Sequence, residues 1–145
     1  MFLGQYTYTL DDKGRITIPA RFREVWDGVV IITRGLDRCL SIYPKTVWDE
    51  IAQKVNNLPI TDPRGRALRR IFFADAISGE PDRQGRILLP ERLREYAGLE
   101  ISAEAVIVGL DRFMELWAVA RWEEENARQT AVIDEDPALW ENLQI

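Results

Sequence analysis

Asp11-Asp12-Lys13-Gly14-Arg15-Ile16-Thr17-Ile18-Pro19-Ala20-Arg21-Phe22-Arg23-Glu24 returns 71 positions later as Asp82-Arg83-Gln84-Gly85-Arg86-Ile87-Leu88-Leu89-Pro90-Glu91-Arg92-Leu93-Arg94-Glu95, with eight of the 14 positions identical. Chance would give roughly one identity, so the chain contains an internal repeat. The repetition continues downstream: Gly35-Leu36-Asp37-Arg38 recurs as Gly109-Leu110-Asp111-Arg112, and Trp48 as Trp122, now 74 positions apart. One supersecondary unit is written twice, with three extra residues in the second copy. Two similar surfaces related by a pseudo-twofold axis are the expected outcome.

Working outward from the repeat, Tyr6–Leu10 alternates β-branched and aromatic residues with others, as a strand does. Asp11–Gly14 has the composition of a tight turn, with Gly14 free to take positive φ. Arg15–Ile18 reads as the returning strand, so residues 6–18 are expected to form a hairpin. Pro19 suits the first turn of a helix better than a central ladder, and a short helix is predicted over Ala20–Trp26, stopped at Gly28. Strands are predicted at Val29–Thr33 and Cys39–Tyr43, hinged at Arg34–Arg38. Pro44 then opens a helix with Val47, Trp48, Ile51, Ala52 and Val55 on one face. Asn56–Pro63 breaks the pattern. Asp62-Pro63 reads as N-cap and N1 of a linking helix running to about Phe72. The second copy repeats the order: strand Phe73–Gly79, turn Asp82–Gly85, strand Arg86–Leu89, Pro90, a helix to Gly98, strands Ala103–Gly109 and Phe113–Trp117, and a helix from Val119. Pro137–Leu143 has one apolar side and is expected to dock on a neighbouring surface.

Composition narrows the chemistry. With 145 residues and 46% apolar content the chain can bury an ordinary core, and each half alone is small enough that the copies are expected to share it. The five tryptophans, Trp26, Trp48, Trp117, Trp122 and Trp140, read as core or interface anchors. No apolar run reaches the roughly 18 residues that cross a bilayer, so no membrane partner is expected. The first residues lack the basic flank and apolar stretch of a secretory signal. A single cysteine, Cys39, precludes an intrachain disulfide and fits a reducing, cytoplasmic setting. The absence of histidine removes Ser-His-Asp triads, Cys-His dyads and His/Cys zinc sites. An all-carboxylate metal site at Asp11 and Asp82 stays open, but each lies beside a repeated arginine, and turn capping is the preferred role. No catalytic residue, cofactor, metal or small-molecule substrate is expected.

Formal charge is −5, yet Arg121–Ile145 alone carries seven acids and two bases, leaving 17 of each sign before it. Basic residues cluster in the repeats and in Arg64–Arg70. An acidic chain can therefore still present a basic face. A turn tip lifts side chains clear of the core, and a two-stranded ribbon fits the major groove of double-stranded DNA. Arg15 and Arg86, just past the turn glycines, can offer a guanidinium fork to phosphate or to guanine. Asp11 and Asp82 are expected to orient those forks. Lys13 and Arg83 mark the turn tips. Arg21, Arg23, Arg92 and Arg94 complete the candidate DNA-binding set; each pair lies two apart, so one member is assigned to phosphate or the turn and the other to structure or subunit contact. The Gly-Leu-Asp-Arg pair reads as structural turns.

The string Leu10-Asp11-x-x-Gly14-Arg15-x-x-x-Pro19 with Arg23, and its second copy with Arg94 and Gly98-Leu99, is similar to the core of the AbrB/SpoVT swapped-hairpin DNA-binding domain. Two such units in one chain, each followed by Gly-Leu-Asp-Arg and a Trp-bearing helix, resemble the MraZ family from Phe2 to about Arg128. The resemblance implies a mixed α+β fold, a double-split β-barrel in which two AbrB-like β-hairpin/helix repeats interlock. It implies an outward-facing Asp/Arg signature, here Asp11/Arg15 and Asp82/Arg86. It also implies ring-shaped homo-oligomers that bind promoter repeats of the division and cell-wall gene cluster. The second copy departs from the first at its turn, with Arg83-Gln84 in place of Asp12-Lys13.

The expected organisation is a first AbrB/SpoVT-like repeat at 5–50, a linking helical segment at 51–75, a second repeat at 76–122 and an acidic helical tail at 123–145. The expected function is a sequence-specific transcriptional regulator, a repressor of its own operon, cytoplasmic and nucleoid-associated, binding direct-repeat promoter DNA as a ring. Two small basic tips on an acidic body bind weakly alone, so assembly is part of that expectation. The alternative is an antitoxin-like protein-binding module of the same fold, favoured by the acidic tail.

Overall fold

The returning strand of each turn pairs with its counterpart in the other repeat, not with the strand that precedes it. In the computed structural model, which describes residues 1–26 and 28–144, β1 (Phe2–Thr9) leads into the first turn and β2 (Arg15–Thr17) leaves it. A short α1 (Ala20–Arg23), β3 (Val30–Arg34), β4 (Leu40–Pro44) and α2 (Lys45–Asn56) complete the first copy. The linking helix α3 (Pro63–Ala74) precedes β5 (Ile77–Gly79), β6 (Arg86–Leu88), α4 (Glu91–Ala97), β7 (Glu104–Asp111), β8 (Met114–Ala118), α5 (Val119–Glu135) and α6 (Ala138–Asn142). Asp27 of the first expected repeat and Ile145 of the expected tail lie outside the described residues.

The strands form an antiparallel six-stranded sheet in the order β1-β7-β8-β4-β3-β5 and a two-stranded ribbon, β2-β6. Under the repeat, β1 matches β5, β3 matches β7 and β4 matches β8, so the sheet reads the same from either end. The pseudo-twofold passes between β8 and β4 and through the Ile16–Ile87 pair of the ribbon. Each repeat thus lends its first strand to the other: β1 pairs with β7 and β5 with β3. This corrects the expected hairpin at residues 6–18. The turn does form, closed by Asp11 N–H to Arg15 O at 3.0 Å, but its two arms separate into different ladders.

Alternation along the strands explains why the sheet is buried on both sides. Val30, Ile32, Leu40, Ile42, Ala105, Ile107, Met114 and Leu116 enter one core with Leu10, Ile16, Phe22, Ile87, Leu89 and Leu93, so neither repeat has a core of its own. The intervening residues face the helices. Tyr43 packs with Val47, Val55 and Phe72 under α2 and α3, and Cys39, Val106, Val108 and Trp117 pack with Val119 and Trp122 of α5. Burying a large side chain of this kind contributes about 1.5–3 kcal/mol.

Element edges moved where tertiary pairing overrode local pattern. Asp62 caps α3 by accepting from Arg64 N–H at 2.9 Å, and the helix runs two residues past Phe72, which trims the predicted strand Phe73–Gly79 to Ile77–Gly79. The helix predicted over Ala20–Trp26 is regular only through Arg23, although Phe22 and Trp26 are both buried. β7 extends to Asp111 because β1, starting at Phe2, pairs with it throughout; the second Gly-Leu-Asp-Arg therefore sits at a strand end. Pro137–Leu143 does not dock within the chain: Leu139, Trp140 and Leu143 are about half exposed or more, at 59%, 49% and 58%.

Candidate nucleic-acid interface

In β2 and β6 the period of two sends Ile16 and Ile87 inward and leaves Arg15, Thr17, Arg86 and Leu88 on the outer face of the ribbon. Register places Arg15 opposite Leu88 and Thr17 opposite Arg86. Both candidate arginines therefore share one surface. Backbone bonds just outside the ladder, Ile18 N–H to Gly85 O at 2.8 Å and Leu89 N–H to Gly14 O at 2.9 Å, tie each turn to the opposite repeat.

Each turn is built the same way. Asp11 Oδ1 accepts from Lys13 N–H at 2.9 Å and Arg15 N–H at 2.8 Å, and Oδ2 accepts from Arg15 Nε at 2.6 Å. Asp82 accepts from Gln84 N–H, Arg86 N–H and Arg86 Nε, all at 2.9 Å. The match survives the change from Asp12-Lys13 to Arg83-Gln84 because the donors are backbone groups. Across the pseudo-twofold, Arg86 Nη1 approaches Asp11 Oδ2 to 3.8 Å. Partial desolvation pushes the Asp11 carboxyl up, but the hydrogen bonds from Arg15 and Lys13 outweigh it and hold the group below the usual carboxylate range. At Asp82 the Arg86 backbone N–H leads, with the Arg86 side chain adding to it, in lowering the carboxyl against desolvation. With Nε held, the terminal nitrogens of each arginine remain the groups to meet a ligand. Side-chain exposures of 26% for Arg15 and 29% for Arg86 describe arginines lying along the surface with their stems covered.

The other sequence-predicted residues divide. Lys13 and Arg83 stand exposed at the turn tips. Arg23 Nε donates to Ile18 O at 3.1 Å, and Arg94 Nε to Leu89 O at 3.0 Å. Each then lies over the turn glycine of the opposite repeat: an added Cβ on Gly85 would sit 2.6 Å from the guanidinium carbon of Arg23, and one on Gly14 2.8 Å from Arg94 Nε. Arg21 and Arg92, equivalent in sequence, have unlike partners. Arg21 donates to the Tyr6 hydroxyl at 2.6 Å, whereas Arg92 pairs with Asp75 at 2.8 Å. Thr17 and Leu88, between the arginines, were missed by residue-type reasoning. Counting by twos along the returning strands would have found them.

Chemically the ribbon face offers cationic forks, one hydroxyl and one exposed leucine, a surface for binding an anion-rich polymer. Asp11 and Asp82 are occupied by N–H donors and arginines, and no group of three or more candidate metal ligands occurs among the described residues. No helix of the described residues is long and apolar enough to cross a membrane.

Comparison with known proteins fits the duplicated architecture. A family model described as "MraZ protein, putative antitoxin-like" matches twice, over residues 1–71 and 72–138. A protein of Thermomicrobium roseum named transcriptional regulator MraZ is 49% identical over 99% of this chain and 97% of its own length. Its namesake in Moorella thermoacetica is 50% identical over 99% of this chain and 96% of its own. A third, from Roseiflexus castenholzii, is 51% identical over 85% of each chain. A twofold match to one family model, and near full-length identity of about half to these relatives, place the chain in the MraZ family.

Proposed function

We propose that the chain is a sequence-specific DNA-binding transcriptional regulator, acting as a repressor of its own operon in the division and cell-wall gene cluster. The observation that carries the proposal is the placement of Arg15 and Arg86 on one ribbon face, each held by its own aspartate. Relatives bear the name of a transcriptional regulator, which supports the class of activity. A ribbon of this width enters a major groove, where the free ends of the two arginines meet guanine O6/N7 or phosphate. Fixing each Nε on an aspartate reduces the entropy lost on binding. Lys13 and Arg83 reach flanking phosphates. Arg23 and Arg94 hold the turns in shape and add positive potential, and Arg21 and Arg92 serve as outer phosphate contacts. Leu88 beside Arg15 suits a thymine methyl, whereas Thr17 beside Arg86 can donate or accept, so the halves read unlike bases.

The exchanged first strands and the crossed turns support a double-split β-barrel of two AbrB/SpoVT-like repeats, at 5–50 and 76–122, joined by residues 51–75 and followed by the acidic tail. One protomer supplies a small contact, so affinity comes from several protomers in a ring, whose head-to-tail contacts present the ribbons in one direction along direct-repeat promoter DNA. The site of action is then the nucleoid in the cytoplasm. A second reading, an antitoxin-like protein-binding module, draws on the family description and on the exposed tail.

Footprinting on the DNA upstream of the gene tests the proposal. Evenly spaced direct repeats should be protected together, as one cooperative transition. Protection of a single palindrome by an isolated dimer, or no protection at all, would contradict it; in the latter case the antitoxin-like reading gains.

A further inference from the structure

Between α2, α3 and the Gly35–Asp37 loop the sheet carries a groove of about 560 Å³, within the roughly 300–1,000 Å³ of small-molecule sites. Its floor comes from residues of β4 and β8 that turn away from the main core, Ser41, Tyr43 and Glu115, with Phe113 just before β8. Tyr43 and Phe113 stack at 5.2 Å. Ile51 of α2 and Leu68 and Ile71 of α3 add aliphatic walls. Such a lining accepts an apolar body.

Two carboxylates and one guanidinium also line the groove. The guanidinium is engaged: Arg34 pairs with Asp75 at 2.6 Å and stacks on Tyr96 at 4.5 Å. Neither Asp37 nor Glu115 has an ion-pair partner among the described residues. Asp37 stands exposed on the loop and also borders the cleft of Arg38 and Arg121, which leaves Glu115 as the inner charge. Its Oε1 accepts from Trp117 Nε1 at 3.1 Å, whereas its Oε2 meets the Cys39 thiol at 3.5 Å, and a thiol is a weak donor. Burial pushes the Glu115 carboxyl above its ordinary range despite those two bonds, and the Asp37 charge adds to the rise. A half-buried anion with one weakly satisfied oxygen, set among aromatic rings, suits a cation.

Duplication does not account for this arrangement. At the downstream offset of 74, Glu115 corresponds to Ser41 (115 − 74) and Phe113 to Cys39 (113 − 74). The matching face of the other half packs Cys39 and Trp117 under Val119 and Trp122 of α5.

We infer that this groove binds a small organic cation, an amine with an aromatic or aliphatic body, its ammonium donating to Glu115 Oε2 and its body lying against Tyr43, Phe113 and Ile51. The ligand is held, not transformed. The same charge disfavours the chain's own acidic tail as occupant. The inference is independent of the DNA-binding reading, because the arginine face belongs to the ribbon and the groove to α2 and α3.

Isothermal titration of the full chain with three indoles of similar shape tests it: tryptamine, the neutral tryptophol and the anionic indole-3-propionate. Tryptamine should bind one per chain and at least about tenfold more tightly than tryptophol. Indole-3-propionate should not bind. Glu115→Gln keeps an acceptor for Trp117 Nε1 but removes the charge, and should bring tryptamine down to the affinity of tryptophol. Ile71→Arg, at a position 46% exposed, adds a cation to the groove wall and should weaken tryptamine by a similar factor with the melting temperature unchanged. It decides the matter if the glutamine variant fails to fold. Failure of both tryptamine and octylamine to bind at millimolar concentration overturns the inference, as would follow if a second copy of the chain filled the groove. Equal affinities for the three indoles overturn it too, and so does a preference for tryptamine that survives both substitutions.

Discussion

Arg94 lies over Gly14 of the opposite turn, its Nε 2.8 Å from where a Cβ would be, and Arg23 covers Gly85 in the same way. These crossed contacts lock each turn to the helix of the other repeat. Both glycines also have φ near +80°, at +79° and +78°. Gly14→Ala and Gly85→Ala should therefore each destabilise the fold, by about 1–2 kcal/mol from the left-handed backbone alone and further from displacing the arginine. Thermal unfolding checks this. In an Arg94→Ala background the Gly14→Ala cost should shrink toward the backbone value; an undiminished cost would show that the arginine does not press on the turn.

The turn aspartates give a pH signature. Both carboxyls are held below their ordinary range in the folded chain. What they add to stability is therefore complete above the unfolded carboxylate value, about 3.9, and is lost as pH falls through the lower folded value. The difference in melting temperature between the wild type and an Asp11→Asn, Asp82→Asn double variant should stay level from about pH 5 to 8. It should close at more acid pH. A difference that persists undiminished in strong acid would mean that ionisation is not what these residues contribute.

Asp75 fastens three elements. It lies 2.6 Å from Arg34 of β3 and 2.8 Å from Arg92 of α4, and its side chain is 13% exposed. The Arg34 contact is short but off-line, an ion pair more than a directed hydrogen bond, and Arg34 also stacks on Tyr96 at 4.5 Å. Asp75→Ala leaves Arg34 half-covered without its anion. Partial exposure of the arginines brings the expected loss below the 3–5 kcal/mol of a fully buried pair, to about 1–3 kcal/mol. Urea unfolding measures it. A loss under about 0.5 kcal/mol would place the pair among ordinary surface contacts.

Cys39 should be inert in the folded protein. It is fully buried, and burial first, then the Glu115 carboxylate, push its thiol well above the ordinary range. Reaction with a thiol reagent at neutral pH should thus follow unfolding and accelerate with denaturant. Rapid stoichiometric labelling of native protein would contradict the burial.

Much of this was legible in the chain, for physical reasons. Asp11, Gly14 and Arg15 act within one turn, so their spacing alone specifies the capped arginine, and duplication at Asp82, Gly85 and Arg86 marks it as a unit. Strand periodicity located β3, β4, β7 and β8 to within a residue or two. Partner choice was not legible. A local pattern cannot tell whether Arg15–Thr17 pairs with Tyr6–Thr9 or with Arg86–Leu88, because both pairings put Ile16 inward; the shared core decides. Equally, the matched sequence positions of Arg21 and Arg92 hide unlike partners, since Tyr6 and Asp75 reach them from segments that the repeat does not equate. The tail's apolar side was visible, but not that its own chain leaves it bare.

If the paired arginines on one ribbon face carry DNA binding, a salt series of binding constants for upstream DNA with the wild type, Arg15→Ala and Arg86→Ala will show it. Each substitution is predicted to weaken binding by about 1–3 kcal/mol where the arginine meets guanine, or to reduce the salt slope by about one where it meets phosphate. Affinity and slope unchanged in both variants, with assembly intact, would mean that these arginines do not meet DNA.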